Sequence, residues 1–477
     1  MSTDHRLERA TQLVYRLRSL AMAGAVLHIG AHPDDEDAGL LPYLTHKLGV
    51  RCVYWSATRG EGGQNRIGPD KQEALGVYRT WESLAARALD GGEALFGPFY
   101  DFGFSKSGEE TLAKWGGRDM VVREIVRAIR MVQPQILISR WTGGPDDGHG
   151  HHQAVGSAVL EAFEAAGDAR RFPELREQGL AAWQPRKLYY STSGDWQPGE
   201  GGLDLGAQRP EFEQDGCVRV DTGEFDPVAG QTYQEQAWRA FNQHKTQGMG
   251  FIPSKGPFYY YYARCKSLVS EPACEPSFYD GLDRSLAGLA DYPGEGRGSL
   301  RESLQAIVEQ AETALARFRA EDPARAAGPL LEALSLLQEL EAALAGEPLN
   351  DEARQALASY LARKVKDFEE VTAHCLGLSL ECLAGRARVS PGQRCHINAR
   401  LWNARQLPLE RVEFVLRLPD GWEIEGQTEG EIEAAGRERG GDPAPLREAA
   451  FDVRVSAAAG LTCPYWLSLP RAGYRYR

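Results

Sequence analysis

The chain has 477 residues, room for two to four domains at the usual ~100–200 residues each. Its 42% hydrophobic and 25% charged residues are those of an ordinary globular protein. The net charge of -13 (54 Lys and Arg against 67 Asp and Glu), with no basic block, argues against nucleic acid as a partner. No apolar run approaches the ~18–20 residues of a membrane helix, and charges scattered through residues 1–23 interrupt any secretory signal core.

Strand and helix signals alternate through the first 140 residues. Residues 26–29 form a short apolar run ending at Gly30, the pattern of a buried parallel strand. A helix is expected over 37–48, a strand over 50–57, helices over 71–89 and 118–132, and a strand over 135–139 after the breaker Pro134. Such alternation predicts βαβ units and a parallel sheet covered on both faces, with the active site beyond the C-terminal strand ends. From about 299 to 374 the leucines fall into helical spacing in three segments divided by Pro323 and by Gly346-Glu347-Pro348, with Ser299-Leu300-Arg301-Glu302 reading as a capping box. This is a helical hairpin or small bundle, a spacer or else a homo-oligomerisation surface. After Leu376 the period falls to two over 395–401, 412–418 and 451–455, which predicts a β-sandwich. The stretch 426–441 is expected to be a loop, and the chain reads as cut short at Arg477.

The eight cysteines (Cys52, Cys217, Cys265, Cys274, Cys375, Cys382, Cys395 and Cys463) include no C-x-x-C pair. Zinc ribbons and thioredoxin-type motifs are thereby excluded. Scattered thiols suit a reducing compartment, and the cytoplasm is the expected location.

Two loops carry chemistry. Directly after the first strand stands Ala31-His32-Pro33-Asp34-Asp35-Glu36. His32 and Asp35 are spaced to converge on one metal ion, leaving Asp34 free beside a water as a base. After the strand at 135–139 comes a glycine-rich loop with three histidines in four residues, His149, His151 and His152. Any of them can complete the ligand set. Both loops lie at strand C-termini, where an open sheet places its site.

These residues resemble the PIG-L/LmbE-like zinc-dependent N-deacetylases, which remove acetyl groups from N-acetylglucosamine-containing substrates. The likeness extends through Thr58-Arg59-Gly60-Glu61-Gly62-Gly63-Gln64-Asn65, Arg79, Glu82 and Asp101-Phe102-Gly103, and covers roughly residues 25 to 270. It implies that His32, Asp35 and His152 hold zinc, that Asp34 is the general base, and that His149 faces the developing oxyanion. Arg79 and Asp101 match positions that contact substrate hydroxyls. One departure is that Gly150-His151 stands where the family usually has Pro-Asp. A carboxylate that would orient a histidine is therefore missing, and His151 competes with His149 for its role.

The implied fold is α/β: a Rossmann-like mostly parallel sheet with helices on both faces over 1–295, then a helical segment over 296–375 and an Ig-like β-sandwich accessory domain over 376–477. The implied activity is hydrolysis of an N-acetyl group on an amino sugar or glycoconjugate. Zinc would lower the pKa of its water toward ~7, Asp34 would take the water proton, and a protonated His149 would stabilise the oxyanion. Fe2+ suits the same ligands. Two other readings are a non-catalytic carbohydrate-binding protein on this scaffold and an amidohydrolase of a longer N-acyl group.

Lesser features have their own expectations. The glycine-rich run 60–65 lacks a Walker or G-x-G-x-x-G pattern and should line the pocket mouth. Residues 242–248 either close the substrate site or form a plain helix end with a glycine cap. The aromatic run 258–262 reads as a strand. His28 is expected to be a satisfied core histidine, and His5, His46, His374 and His396 to be surface or structural residues without a partner.

Overall fold

The computed structural model describes residues 4–192, 217–253, 255–270, 275–292, 298–346, 349–405, 407–409, 411–431 and 447–477. Cys274, residues 347–348 of the expected turn, the boundary at 295/296 and residues 432–441 of the expected loop lie outside them.

After helix α1 (Asp4–Leu20), strand β1 (Ala25–Gly30) is buried at every position, apolar apart from His28. A short helix α2 (Leu40–Pro42) and a π-helical turn (Tyr43–Lys47) lead to β2 (Arg51–Ser56). The helix expected over 37–48 is thus shorter, entered through a turn in which Leu40 N–H donates to the Asp37 carbonyl (2.9 Å). Helix α3 (Glu73–Asp90), β3 (Glu93–Phe96), α4 (Gly108–Trp115), α5 (Arg118–Val132), β4 (Ile136–Ser139) and α6 (Gly150–Ala166) follow. Beyond them come α7 (Pro173–Glu177), β5 (Lys187–Ser191), β6 (Cys217–Asp221), the two-residue strands β7 (Phe225–Asp226) and β8 (Gln231–Thr232), α8 (Tyr233–Phe241) and β9 (Tyr259–Ser267).

The central sheet has the order β3-β2-β1-β4-β5-β9-β6. Its first five strands are parallel, and β9 runs antiparallel to both β5 and β6. Alternation along the strands divides the core. Leu27, Ile29, Val53, Trp55 and Leu137 pack with α5 and α6, while Val26, Cys52, Tyr54, Ile136 and Ile138 pack with Leu40, Leu41 and the tyrosines of β9. Strand β1 lies between β2 and β4, so the order of connection reverses there, and such a switch point opens a crevice at the strand C-termini. The register is level: Ile29 pairs with Trp55 on one side and Ser139 on the other. The segments after Gly30, Ser56 and Ser139 therefore leave the sheet side by side.

Helices α9 (Gly298–Arg317), α10 (Ala327–Ala343) and α11 (Asp351–Leu376) are the three helical segments. Ser299 lies inside the first turn of α9 and not ahead of it. The capping box in the structure is at α8, where Thr232 and Glu235 satisfy each other's backbone N–H. Strands β10 (Leu378–Ala384), β11 (Arg394–Asn403), β12 (Trp422–Glu431) and β13 (Arg447–Val455) form an antiparallel sheet ordered β10-β11-β13-β12. Residues 426–431, expected in a loop, belong to β12 because they pair with 447–452 of β13. The expected strand at 412–418 is not one, yet Phe414, Leu416 and Leu418 cover the apolar face made by Cys395, Ile397, Phe451 and Val453.

The three-part division at 295 and 375 describes sequence character; compactness groups the chain differently. One unit gathers Met1–Glu309, Leu336–Lys364 and Tyr465–Arg477, and the other gathers Gln310–Ser335 and Val365–Pro464. Within the first, Gly156 of α6 is pressed against the loop after β4. A Cβ there would lie 2.3 Å from the Gly143 nitrogen and 2.7 Å from the Trp141 carbonyl, both backbone atoms that cannot swing away. Gly156→Ala should therefore cost about 1–3 kcal/mol, the range for overpacking a rigid contact. Urea denaturation checks this; an unchanged midpoint would mean that the loop is not held against α6.

Candidate active site

At the sheet edge, Asp35 is fixed from three directions. Its Oδ2 accepts the N–H groups of Ala31 (2.8 Å), His32 (2.9 Å) and the Trp141 indole (2.9 Å). These donors occupy one oxygen and leave Oδ1 turned toward His152 Nε2, 3.6 Å away. His152 donates from Nδ1 to the Asp147 carbonyl (3.0 Å), so its Nε2 carries the lone pair. The Trp141 ring stacks on His152 at 3.6 Å and 6°. His32 Nδ1 lies 3.2 Å from His152 Nε2 and 3.5 Å from Asp35 Oδ2. Despite its burial, Asp35 is held far below the usual carboxylate range by His152, His32 and the Trp141 N–H. Burial works against a charged His32 too, but the carboxylates of Asp35, Asp101 and Asp34 lift it to about 9. The site as built attracts positive charge.

His32, Asp35 and His152 can hold a metal ion, their donor atoms all within 4.8 Å of one another. Tetrahedral ligands at about 2.0–2.2 Å from zinc stand about 3.3–3.6 Å apart, close to the separations here. One carboxylate and two nitrogens, each with its second atom tied to the protein, fit zinc or ferrous iron. A second group, His32, His149 and His151, shares His32, whose Nε2 lies 3.0 Å from His151 Nδ1. It lacks a carboxylate, and His151 is fully buried against Trp115 and Phe102.

The departure at Gly150-His151 has a local solution. His149 is the N-cap of α6, and its Nδ1 accepts the His151 N–H at 3.0 Å. The ring proton therefore sits on Nε2, with no carboxylate needed to set the tautomer. Burial, reinforced by His32 and His152, pushes His149 down to about 4. That direction disfavours the protonated His149 expected from the sequence. His149 lines the cleft while His151 is packed behind it.

The cleft has a volume of about 300 Å³, and its walls include Asp34, His149, Arg79, Asp101, Gln247 and Gly62-Gly63-Gln64. Burial and the neighbouring Asp35 carboxylate raise Asp34 above the usual carboxylate range, with Arg79 pulling the other way. Arg79 is itself buried and donates to the Gln64 carbonyl (3.1 Å). A Cβ at Gly60 or Gly63 would fall within 2.5 Å of its guanidinium, which explains those glycines. Asp101 accepts the Gly103 N–H (2.8 Å) and lies 3.8 Å from His151 and 4.0 Å from His32. It therefore touches the histidines as well as the cleft.

Residues 242–248 form the expected helix end with a glycine cap, and one of them also lines the cleft. Asn242 caps α8, Gly248 closes the next turn at φ +78°, and Gln247 reaches the cleft. The Gln247 amide donates to both Asp34 oxygens (2.8 Å to Oδ1) and accepts from His244 Nδ1 (3.3 Å). His244 Nε2 lies 3.1 Å from Glu36, which also accepts from Arg87 (2.9 Å); all three are buried. Glu82 ties the turn down through Thr246. His28 is satisfied in the core between the Ile138 carbonyl and the Asp37 N–H. His46 and His396 do have partners, Gln236 (2.7 Å) and Asp452 (2.9 Å) respectively.

Sequence reasoning missed Trp141, the Asp147 carbonyl, Glu36 and Arg87. Only Trp141 had a signal, standing two residues past a strand end as His32 does. Two variants probe the centre. His152→Ala should lose its equivalent of bound metal. Trp141→Phe, which keeps the stack but removes the N–H to Asp35, should weaken metal affinity roughly 10–100-fold in chelator competition. Unchanged affinity in both would remove these residues from a metal site.

Comparison with known proteins adds a family. Residues 27–163 match the family described as PIG-L, GlcNAc-PI de-N-acetylase. A 1D-myo-inositol 2-acetamido-2-deoxy-alpha-D-glucopyranoside deacetylase of Streptomyces scabiei is 30% identical over 190 residues, covering 35% of this chain and 55% of that protein. A mycothiol S-conjugate amidase of Streptomyces coelicolor is 27% identical over 181 residues, covering 35% and 60%. The match thus spans little more than half of these relatives. Among solved structures, an N,N'-diacetylchitobiose deacetylase from Pyrococcus horikoshii superposes with a TM-score of 0.33 at 16% identity, over 47% of this chain and 70% of that one. The matched residues 27–163 include both loops that bear the candidate metal ligands His32, Asp35 and His152.

Proposed function

We propose that the chain hydrolyses the N-acetyl group of an N-acetylated amino sugar or sugar conjugate, such as an N-acetylglucosaminyl inositol, to acetate and the free amine. The observation that carries this reading is the position of Asp34. It is the residue before ligand Asp35, it faces the cleft, and its raised proton affinity suits a group that must accept a proton. Zn2+ or Fe2+ held by His32, Asp35 and His152 would supply Lewis acidity, activating a water and polarising the acyl oxygen.

The remaining work falls to side chains. Asp34 takes the proton of the attacking water as the new C–O bond forms, with Gln247 fixing its carboxylate. His149 donates its Nε2–H to the acyl oxygen as negative charge develops there. When the C–N bond breaks, the proton held by Asp34 passes to the leaving amine. Arg79 and Asp101, which both line the cleft, are a donor and an acceptor for sugar hydroxyls. The cytoplasm is the proposed location, since the cysteines are scattered along the chain and include no C-x-x-C pair.

The test is acetate release from N-acetylglucosamine conjugates by the metal-loaded protein and by Asp34→Asn. The variant should keep its metal and lose roughly 10²–10⁴-fold in kcat, the usual contribution of a general base. Full turnover by Asp34→Asn would overturn the mechanism. Release of a longer acid in place of acetate would redirect the reading to other N-acyl substrates.

A further inference from the structure

The loops carrying Arg59–Gln64 and Asp101 do not rest on the sheet alone. Beneath them lies Glu61, 1% exposed, whose Oε2 accepts the backbone N–H groups of Arg59 (3.1 Å) and Asp101 (3.2 Å). Its other oxygen accepts the hydroxyl of Tyr476 (2.8 Å), a residue 415 positions further along the chain. Burial raises Glu61 to about 7. The segment that delivers Tyr476 is bonded to the same loop: Tyr476 N–H donates to the Pro98 carbonyl (2.8 Å), Tyr100 N–H to the Tyr474 carbonyl (2.9 Å), and Phe99 bridges antiparallel to Arg475. A second anchor grips the other loop. The Arg59 guanidinium, fully enclosed, lies 3.6 Å from the Trp466 ring centre and donates to the Tyr465 hydroxyl (2.9 Å).

We propose that Tyr465–Arg477 is a working part of the substrate site, with Tyr476 a positioning residue that acts through Glu61 on the two loops bearing Arg79's cradle and Asp101. The hydroxyl of Tyr476 holds Glu61 in the one place from which a single oxygen can receive both loop N–H groups. The loops so fixed hold Asp101 and the glycine cradle of Arg79 in place along the cleft. His32, Asp34, Asp35 and His152 make none of the described hydrogen bonds, ion pairs or ring contacts with this segment, so its effect falls on substrate binding. The consequence for turnover rests on the hydrolase reading above; the effect on the loops does not.

The experiment uses the full chain. Tyr476→Phe removes one hydroxyl and leaves the ring in place. It should raise KM about ten-fold for the N-acetyl sugar conjugate, with kcat within about two-fold and metal content unchanged, which marks lost ground-state binding. In the same protein, amide hydrogen exchange at Arg59 and Asp101 should accelerate at least ten-fold. Glu61→Gln should stay near wild type, since the Tyr476 hydroxyl can accept from the new amide while its oxygen keeps the two N–H groups. Glu61→Leu should match Tyr476→Phe, and combining the two should add little. Unchanged KM and exchange in Tyr476→Phe would overturn the proposal. So would a general fall in kcat, metal content and Tm together, which would assign the segment to bulk stability. If the wild type turns over no N-acetyl substrate, the hydrolase reading fails and hydrogen exchange alone decides this one.

Discussion

Three N–H groups converging on a single oxygen of Asp35 hold the site together. They come from the turn after β1, from the next residue of that turn and from an indole after β4, so the bond set forms only when the two parallel strands lie side by side in level register. Charge-assisted hydrogen bonds of this kind are among the stronger ones in proteins. They turn the remaining oxygen toward His152 and fix Trp141, whose ring in turn orients the His152 imidazole. The sheet topology and the ligand geometry are therefore one constraint seen at two scales.

Much of this was legible in the sequence because periodic runs are long and chemical loops are compact. The buried strand β1, the amphipathic helix α5 and the two loops rich in histidine and aspartate could each be read from fewer than twenty residues. What could not be read depends on partners far along the chain. Nothing local marks Trp141 as a donor to Asp35, or the Asp147 carbonyl as the group that sets the His152 tautomer. The four-residue edge strand β3 carries too little pattern to announce itself. For α4 a signal existed: Ser107 and Glu110 have cap spacing, and the Ser107 side chain does accept the Glu110 N–H. Residues 426–431 read as a loop by composition, since glycine and glutamate disfavour strands. Pairing along β13 overrode that preference.

Asp34 and Asp35 show how far environment outweighs residue type. They are consecutive and carry the same side chain. Asp35 gathers N–H donors and two imidazoles and is held firmly ionised; Asp34 meets burial and its neighbour's negative charge, and its proton affinity rises. Gln247 and the buried Arg87–Glu36–His244 chain behind it keep that second carboxylate in position from the opposite side. A ligand and a base can thus be built from adjacent copies of one amino acid, provided that the backbone turn sends them to different neighbours.

The stretch recognisable by descent and the stretch that holds itself together are different pieces of this chain. The family match ends at residue 163, whereas the compact unit around it recruits segments from far beyond. Gln133, at the end of α5, donates to the Ala356 carbonyl, and the Tyr360 hydroxyl donates to the Ala23 carbonyl just ahead of β1. Recombination that carried the recognisable piece alone into a new gene would leave those props behind. The segments that brace the site thus reach beyond the matched stretch, through Ala356 and Tyr360 of α11.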